Sequence, residues 1–156
     1  MRTLKSGVVA PDFFLLNQDG KTVSLSGFLD KKVLLYFYPK AMSPGCTLQA
    51  KCLRDVKTKL EMYGVTILGI STDPVECLRK FIEHNNLTFT LLSDENHIVA
   101  EQFGVWGKKK FMGKIYDGLY RFSFLIDKQG MVEHIFKGFK IKSHHKMILD
   151  YLEKNR

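Results

Sequence analysis

Apolar and polar positions along the chain follow two periods, one near two and one near 3.6, and the switches between them mark out the elements. Val33-Leu34-Leu35-Tyr36-Phe37-Tyr38 is an unbroken apolar and aromatic run, the pattern of a strand covered on both faces, and Pro39 ends it. Val65 to Ser71 predicts a second buried strand. Between them Leu48, Cys52, Val56 and Leu60 recur at helical spacing, which predicts a helix from about Cys46 to Tyr63 with these four inward and Gly64 as its stop. Asp73-Pro74 has the form of an N-cap followed by proline at the first helical position. A second helix therefore carries Cys77, Leu78, Phe81 and Ile82, and Asn85-Asn86 ends it.

The remaining elements are shorter. Phe13–Leu16 and Thr22–Leu25 flank the turn Asn17-Gln18-Asp19-Gly20 and read as an N-terminal hairpin. Phe89–Leu92 is a strand, and Asn96–Phe103 a short helix closed by Gly104. Arg121–Ile126 and Val132–Lys137 are strands joined by the turn Asp127-Lys128-Gln129-Gly130. Ser143 caps a last helix, His144–Lys154, with Met147, Ile148, Tyr151 and Leu152 inward. Strands alternating with helices, closed by an antiparallel pair, predict an α/β fold: a central mixed sheet flanked by helices, as one domain over residues 1–156.

Composition narrows the function. With 45% hydrophobic and 26% charged residues the chain has the balance of a globular protein, and its longest apolar run is far too short to span a bilayer. The first residues, Met1 to Gly7, lack the apolar core of a secretory signal, so a cytoplasmic location is expected. Three cysteines make no disulfide framework, so a thiol here is either a small buried hydrophobe or a reactive group. The net charge of +8 is spread along the chain, its densest run being Lys108-Lys109-Lys110 in a polar connection. No nucleic-acid motif accompanies it, and a solvated basic surface is the reading adopted.

The chemistry concentrates in one segment, Pro39-Lys40-Ala41-Met42-Ser43-Pro44-Gly45-Cys46, a proline-bounded loop that follows a buried strand and delivers a cysteine to the start of a helix. Unpaired N–H groups and the helix dipole stabilise a thiolate there, and the same groups can hold an oxygen as negative charge develops on it. Pro39 and Pro44 restrict the loop and exclude water, and the Ser43 hydroxyl is placed to accept from a substrate and to donate toward the thiolate.

Pro39-x-x-x-Ser43-x-x-Cys46 resembles the active-site motif of the peroxiredoxins, which more often has threonine at the position of Ser43. The longer string Phe37 to Met42 and Pro44 to Thr47 is similar to the PrxQ branch, the bacterioferritin comigratory proteins. Ala10-Pro11-Asp12-Phe13, Gly69-Ile70-Ser71-Thr72-Asp73, Leu91-Leu92-Ser93-Asp94 and Phe103-Gly104-Val105-Trp106-Gly107 fall in family order, so the likeness runs through the chain. It implies a thioredoxin-like fold with an N-terminal hairpin extension, and a thiol peroxidase acting on hydrogen peroxide and organic hydroperoxides. By that likeness Cys46 is the peroxidatic cysteine and Arg121 the catalytic arginine. Arginine suits the place, being a fixed cation that favours the thiolate, orients a peroxide and does not deprotonate. No organic cofactor or metal is called for. The implied partners are a hydroperoxide and a thioredoxin or glutaredoxin-type reductant, with no nucleic acid or membrane, and the branch is often monomeric.

Many members of this branch carry a resolving cysteine five residues after the peroxidatic one. Here that position is Lys51, and Cys52 follows one residue later. Six helical residues rise about 9 Å, beyond the roughly 7 Å that a disulfide spans between Cα atoms, so the first turns must open before Cys46 and Cys52 join. Cys52 is the expected resolver, Cys77 a second candidate, and an external thiol the third. A thioredoxin-type oxidoreductase would need two thiols separated by two residues, and the chain has none. A basic binding module without peroxidase activity remains the other alternative. The histidines His84, His97, His134, His144 and His145 lack zinc-site spacing and are expected at the surface.

Overall fold

A computed structural model describes all residues from Met1 to Arg156. In chain order the elements are β1 (Phe14–Asn17), β2 (Thr22–Ser24), β3 (Lys32–Phe37), α1 (Pro44–Met62), β4 (Val65–Ser71), α2 (Val75–Asn85), β5 (Thr90–Ser93), α3 (Ile98–Gln102), β6 (Trp106–Phe111), β7 (Lys114–Leu119), β8 (Ser123–Ile126), β9 (Val132–Phe136) and α4 (His144–Lys154). Single 3₁₀ turns sit at Ser26–Phe28 and Ile141–Ser143. Seven strands form one sheet in the order β2-β1-β5-β4-β3-β8-β9. β3 pairs in parallel with β4, β4 in parallel with β5, and β8 and β9 are antiparallel, which gives the mixed sheet that the strand–helix alternation predicts. The N-terminal hairpin extends this sheet by pairing β1 antiparallel to β5.

The unbroken apolar run of β3 has a simple cause. Leu34, Tyr36 and Tyr38 point into one buried layer with Leu53, Leu60, Phe81 and Ile148, beneath α1, α2 and α4. Val33, Leu35 and Phe37 point into a second layer with Phe13, Leu68, Phe103 and Phe124. Period-two alternation is thus present but invisible in the residue types, because both faces are dry. Gly69 of β4 is required by this packing: a Cβ there would lie 2.8 Å from both the Tyr36 ring and Leu91. No helix is long and apolar enough to cross a membrane.

Several sequence expectations change, among them Met147, expected inward on α4 and found exposed. The buried face of α1 is Cys46, Gln49, Ala50, Leu53 and Leu60, while Leu48 is exposed and Cys52 and Val56 are half-buried. The 48/52/56 stripe is a flank, turned about 100° per residue away from the stripe that packs. Asp73 does not cap α2. Its carboxylate faces the loop before α1, and Pro74 stands at the N-cap with its carbonyl accepting from Cys77 and Leu78. Lys108-Lys109-Lys110 lies in β6, which pairs with β7 in a separate two-stranded ribbon turned by Met112 and Gly113, both at positive φ. Lastly, His144 is fully buried rather than at the surface.

Candidate active site

Cys46 is reached from β3 through a loop held in shape by Asp73. The Asp73 Oδ2 accepts from the Ala41 amide at 2.7 Å and from the Ser71 hydroxyl at 2.7 Å. One carboxylate at the end of β4 therefore ties the end of β4 to the loop that follows β3. Met42 takes a left-handed backbone (φ 70°) at the apex, and Ser43 returns to extended geometry as the N-cap of α1. Pro44, at the first helical position, has no N–H to leave unpaired. The first bond of the helix runs from Thr47 N–H to the Ser43 carbonyl. The amides of Gly45 and Cys46 thus have no partner within the helix and point out of its N-terminus.

The thiol itself is 1% exposed. Arg121, in the link between β7 and β8, donates from one terminal nitrogen to Cys46 Sγ at 3.2 Å and from the other to Gln49 Oε1 at 2.9 Å. Gly45 makes this approach possible, since a Cβ there would stand 3.2 Å from the guanidinium and 2.8 Å from Ile141 Cδ1. The contact continues inward. The Gln49 amide nitrogen lies 3.3 Å from His144 Nδ1, and His144 Nε2 lies 2.7 Å from the Ser123 hydroxyl. Burial is the main cause that pushes His144 down to about 3, with His145 and Arg121 adding to it, so its ring is neutral at ordinary pH. Tyr36 and Tyr38 stack beside this chain with ring centroids 5.3 Å apart, and their buried phenol oxygens have no hydrogen-bond partner. Burial pushes both phenols well above their ordinary range, and they stay protonated.

Of the residues singled out in the sequence, Cys46 and Arg121 meet directly, Pro39 is half-buried at the end of β3, and Ser43 stands at the helix cap. The Ser43 hydroxyl donates to the Lys40 carbonyl at 2.8 Å rather than toward the thiol, which leaves its lone pairs available as acceptors. Cys52 and Cys77 are half-buried, and all three cysteines are free thiols. Burial, with Asp55 as the next cause, raises the Cys52 thiol, while Lys146 and Arg54 act the other way. Gln49, His144 and Asp73 were missed as parts of the site. A four-residue spacing from Ile148 and Leu152 puts His144 on the packed stripe of its helix, and this was the one local signal available. The largest surface cavity, about 760 Å³ between Tyr63, Leu149 and Arg156, lies at the far ends of α1 and α4 and contains no cysteine.

The profile of the AhpC/TSA family matches residues 6–135. The chain belongs to this family. Peroxiredoxin Bcp of Escherichia coli strain K12 is 56% identical over 155 residues, covering 99% of each chain. Among solved structures, the peroxidoxin BcpB of Mycobacterium tuberculosis superposes with a TM-score of 0.87 at 37% identity, covering 98% of this chain and 99% of its own. The bacterioferritin comigratory protein of Xanthomonas campestris, studied for its alkyl peroxide reduction, gives 0.88 at 25% identity, covering 97% and 99%. The fold of this AhpC/TSA member is accordingly thioredoxin-like, and its relatives are peroxiredoxins of the Bcp type.

Proposed function

We propose that this peroxiredoxin is a thiol peroxidase in which the Cys46 thiolate attacks one oxygen of a hydroperoxide. The sulfur–oxygen bond forms as the O–O bond breaks. Sulfur is oxidised to a sulfenic acid, and the departing hydroxide or alkoxide takes up a proton as water or alcohol. The observation that carries this reading is the 3.2 Å contact from Arg121 to Sγ at a helix start whose Gly45 and Cys46 amides are unpaired. A cation and N–H groups converge where negative charge sits first on sulfur and then on the leaving oxygen. Ser43, its own proton committed to Lys40, accepts the hydrogen of the incoming peroxide, and Pro39 shields the loop side.

Cys52 then attacks the sulfenic sulfur, an S–S bond forms, and the hydroxyl leaves as water. Cys46 and Cys52 lie on one helix, six residues and about 120° apart around its axis, so the first turns of α1 unwind before this step. A dithiol reductant of the thioredoxin or glutaredoxin type restores both thiols, in keeping with a cytoplasmic, reducing setting. Residues 1–156 work as one domain, since both apolar layers share a single sheet, and as a monomer. Cys77 and an external thiol are the other possible resolvers.

Purified protein with a thiol reductant is expected to consume hydroperoxide, and Cys46→Ser to abolish this, a loss of about 10³-fold or more as for other nucleophile deletions. Unchanged consumption by the serine variant would remove Cys46 from the reaction. Peptide mapping after one equivalent of peroxide should give a Cys46–Cys52 link; a Cys46–Cys77 link or an uncoupled sulfenic acid would reassign the resolver.

A further inference from the structure

Arg121 does not reach the thiol unaided: its second nitrogen is held by a buried polar chain that runs through Gln49 and His144 to Ser123. The hydrogen positions along this chain follow from donor and acceptor rules. A guanidinium only donates, so the Gln49 atom facing it at 2.9 Å is the carbonyl oxygen. The NH₂ of the same amide therefore faces His144 Nδ1, which must present a lone pair to it. The ring proton then sits on Nε2 and is donated to Ser123 Oγ at 2.7 Å. Every group has one compatible role, and reversing any of them reverses all. With a proton on Nδ1, two donors would meet at Gln49, the amide would turn, and its NH₂ would face the guanidinium.

The ring has little freedom to respond otherwise. His144 and Gln49 are both essentially inaccessible, and the Phe139 ring lies 4.4 Å from the imidazole, centroid to centroid. The titratable groups acting on His144 are His145 beside it on α4 and Arg121 across the chain, and both oppose a positive ring. Water has no access to replace a lost partner, so a mis-set amide would be left with an unpaired buried polar group.

We propose that His144 is a positioning residue for peroxide reduction: as the Nε2–H tautomer, anchored on Ser123, it fixes the Gln49 amide so that its oxygen holds Arg121 against Cys46. This rests on the assignment of Cys46 as the attacking thiol. It adds that the geometry of the cation is set from α4, almost a hundred residues beyond Cys46 in sequence.

Nitrogen-15 NMR of the imidazole in the reduced wild-type chain tests it without reference to activity. The expected result is a neutral ring protonated at Nε2, and a ring protonated at Nδ1 overturns the proposal. In Gln49→Glu the carboxylate serves Arg121 with one oxygen and needs a donor at the other, so the His144 proton is expected to appear at Nδ1. A ring that stays in its original tautomer there overturns the coupling. For function, His144→Phe keeps a ring but no acceptor, and His144→Asn places an amide oxygen near the position of Nδ1. We expect His144→Phe to lower the rate of Cys46 oxidation about tenfold to a hundredfold, the cost of a misplaced catalytic group. Its ultraviolet thiolate absorbance should develop at higher pH, and His144→Asn should recover most of both. Equal impairment of the two variants with an unmoved thiolate titration would mean that the ring merely fills space. Loss of the Cys46 assignment shows separately, as a Cys46→Ser variant that still consumes peroxide.

Discussion

Cys46 and Cys52 stand on the same helix, six residues apart, and their surroundings differ in nearly every respect. Cys46 is fully buried, faces a fixed guanidinium, and stands in the first turn, where amides are free. Cys52 is half-buried on a flank, its thiol raised by burial and by Asp55, with the countering charges of Lys146 and Arg54. One site is assembled from parts of the loop after β3, α1, the β7–β8 link, β8 and α4; the other is an ordinary helix surface. The difference teaches that only the first half of the proposed cycle is preorganised. The second half depends on taking apart what the first half holds together, because Arg121, Gln49 and the packing of Gly45 on Ile141 all tie down the turns that must unwind.

The largest effect is expected at the cation. Arg121→Met keeps much of the apolar stem and removes the charge and the donors, and the rate constant for Cys46 oxidation should fall by about 10²–10³, the range seen when one preorganised donor to a developing charge is lost. Stopped-flow measurement with limiting peroxide reads this directly. A loss under threefold would mean that the helix terminus alone activates the thiol. Cys52→Ser should invert the pattern. The single oxidation of Cys46 should stay within about twofold of wild type, while turnover supported by a dithiol reductant falls by an order of magnitude or more, as sulfenic acid accumulates in place of a disulfide. If the oxidation step fell as far as turnover, the two thiols would not be separable and the comparison would break.

His144 gives an effect on stability with a defined sign. Its folded value of about 3 lies below the usual 6.5 for histidine, so between these values the unfolded chain binds a proton that the folded chain does not. Stability on this account is complete above pH 6.5 and declines as pH falls toward 3. By pH 5 the loss from this one group is about 2 kcal/mol, at 1.36 kcal/mol per pH unit. Urea unfolding at pH 7 and pH 5 should show that decrement in the wild type, and it should shrink in His144→Phe. An equal decrement in both proteins would place the acid sensitivity elsewhere.

Much of this arrangement is legible in the chain, and the illegible part has one physical cause. The buried strands announce themselves because Val33–Tyr38 and Val65–Ser71 are apolar throughout, and the loop and helix start around Cys46 carry proline, glycine and serine in places where local geometry needs them. Arg121 emerges only through resemblance to a family, since nothing local distinguishes it from a surface arginine. Gln49 has no marker, Asp73 is marked only as part of a string in family order, and His144 only by its spacing to Ile148 and Leu152, which tells of burial and not of a partner. Each acts through a hydrogen bond to a distant segment, Gln49 and His144 being 95 residues apart, and partners of that kind leave no periodic trace. The β6–β7 ribbon escaped for a different reason. Its strand carries three consecutive lysines, poor strand formers, and its turn places Met112 at positive φ where asparagine or aspartate would give the usual signal.

The smallest expected effect tests how far preorganisation at Cys46 extends into the loop. Ser43 donates to Lys40 and so offers only lone pairs to a peroxide, and its hydroxyl has no methyl to restrict its rotation. Ser43→Thr keeps the oxygen and adds that restriction, so oxidation of Cys46 should match or exceed the wild-type rate within about threefold, a difference below 1 kcal/mol. Ser43→Ala removes the acceptor and should slow the reaction by about fivefold to tenfold, the share of one neutral hydrogen bond of 1 kcal/mol or slightly more. Because the Ser43 side chain makes no capping bond in α1, neither change should alter thermal stability appreciably. That separates a loss of substrate contact from a loss of the helix start that places the thiol. Equal rates in all three proteins would exclude Ser43 from the built site and leave its contrast with Cys52 to burial, the cation and the helix amides.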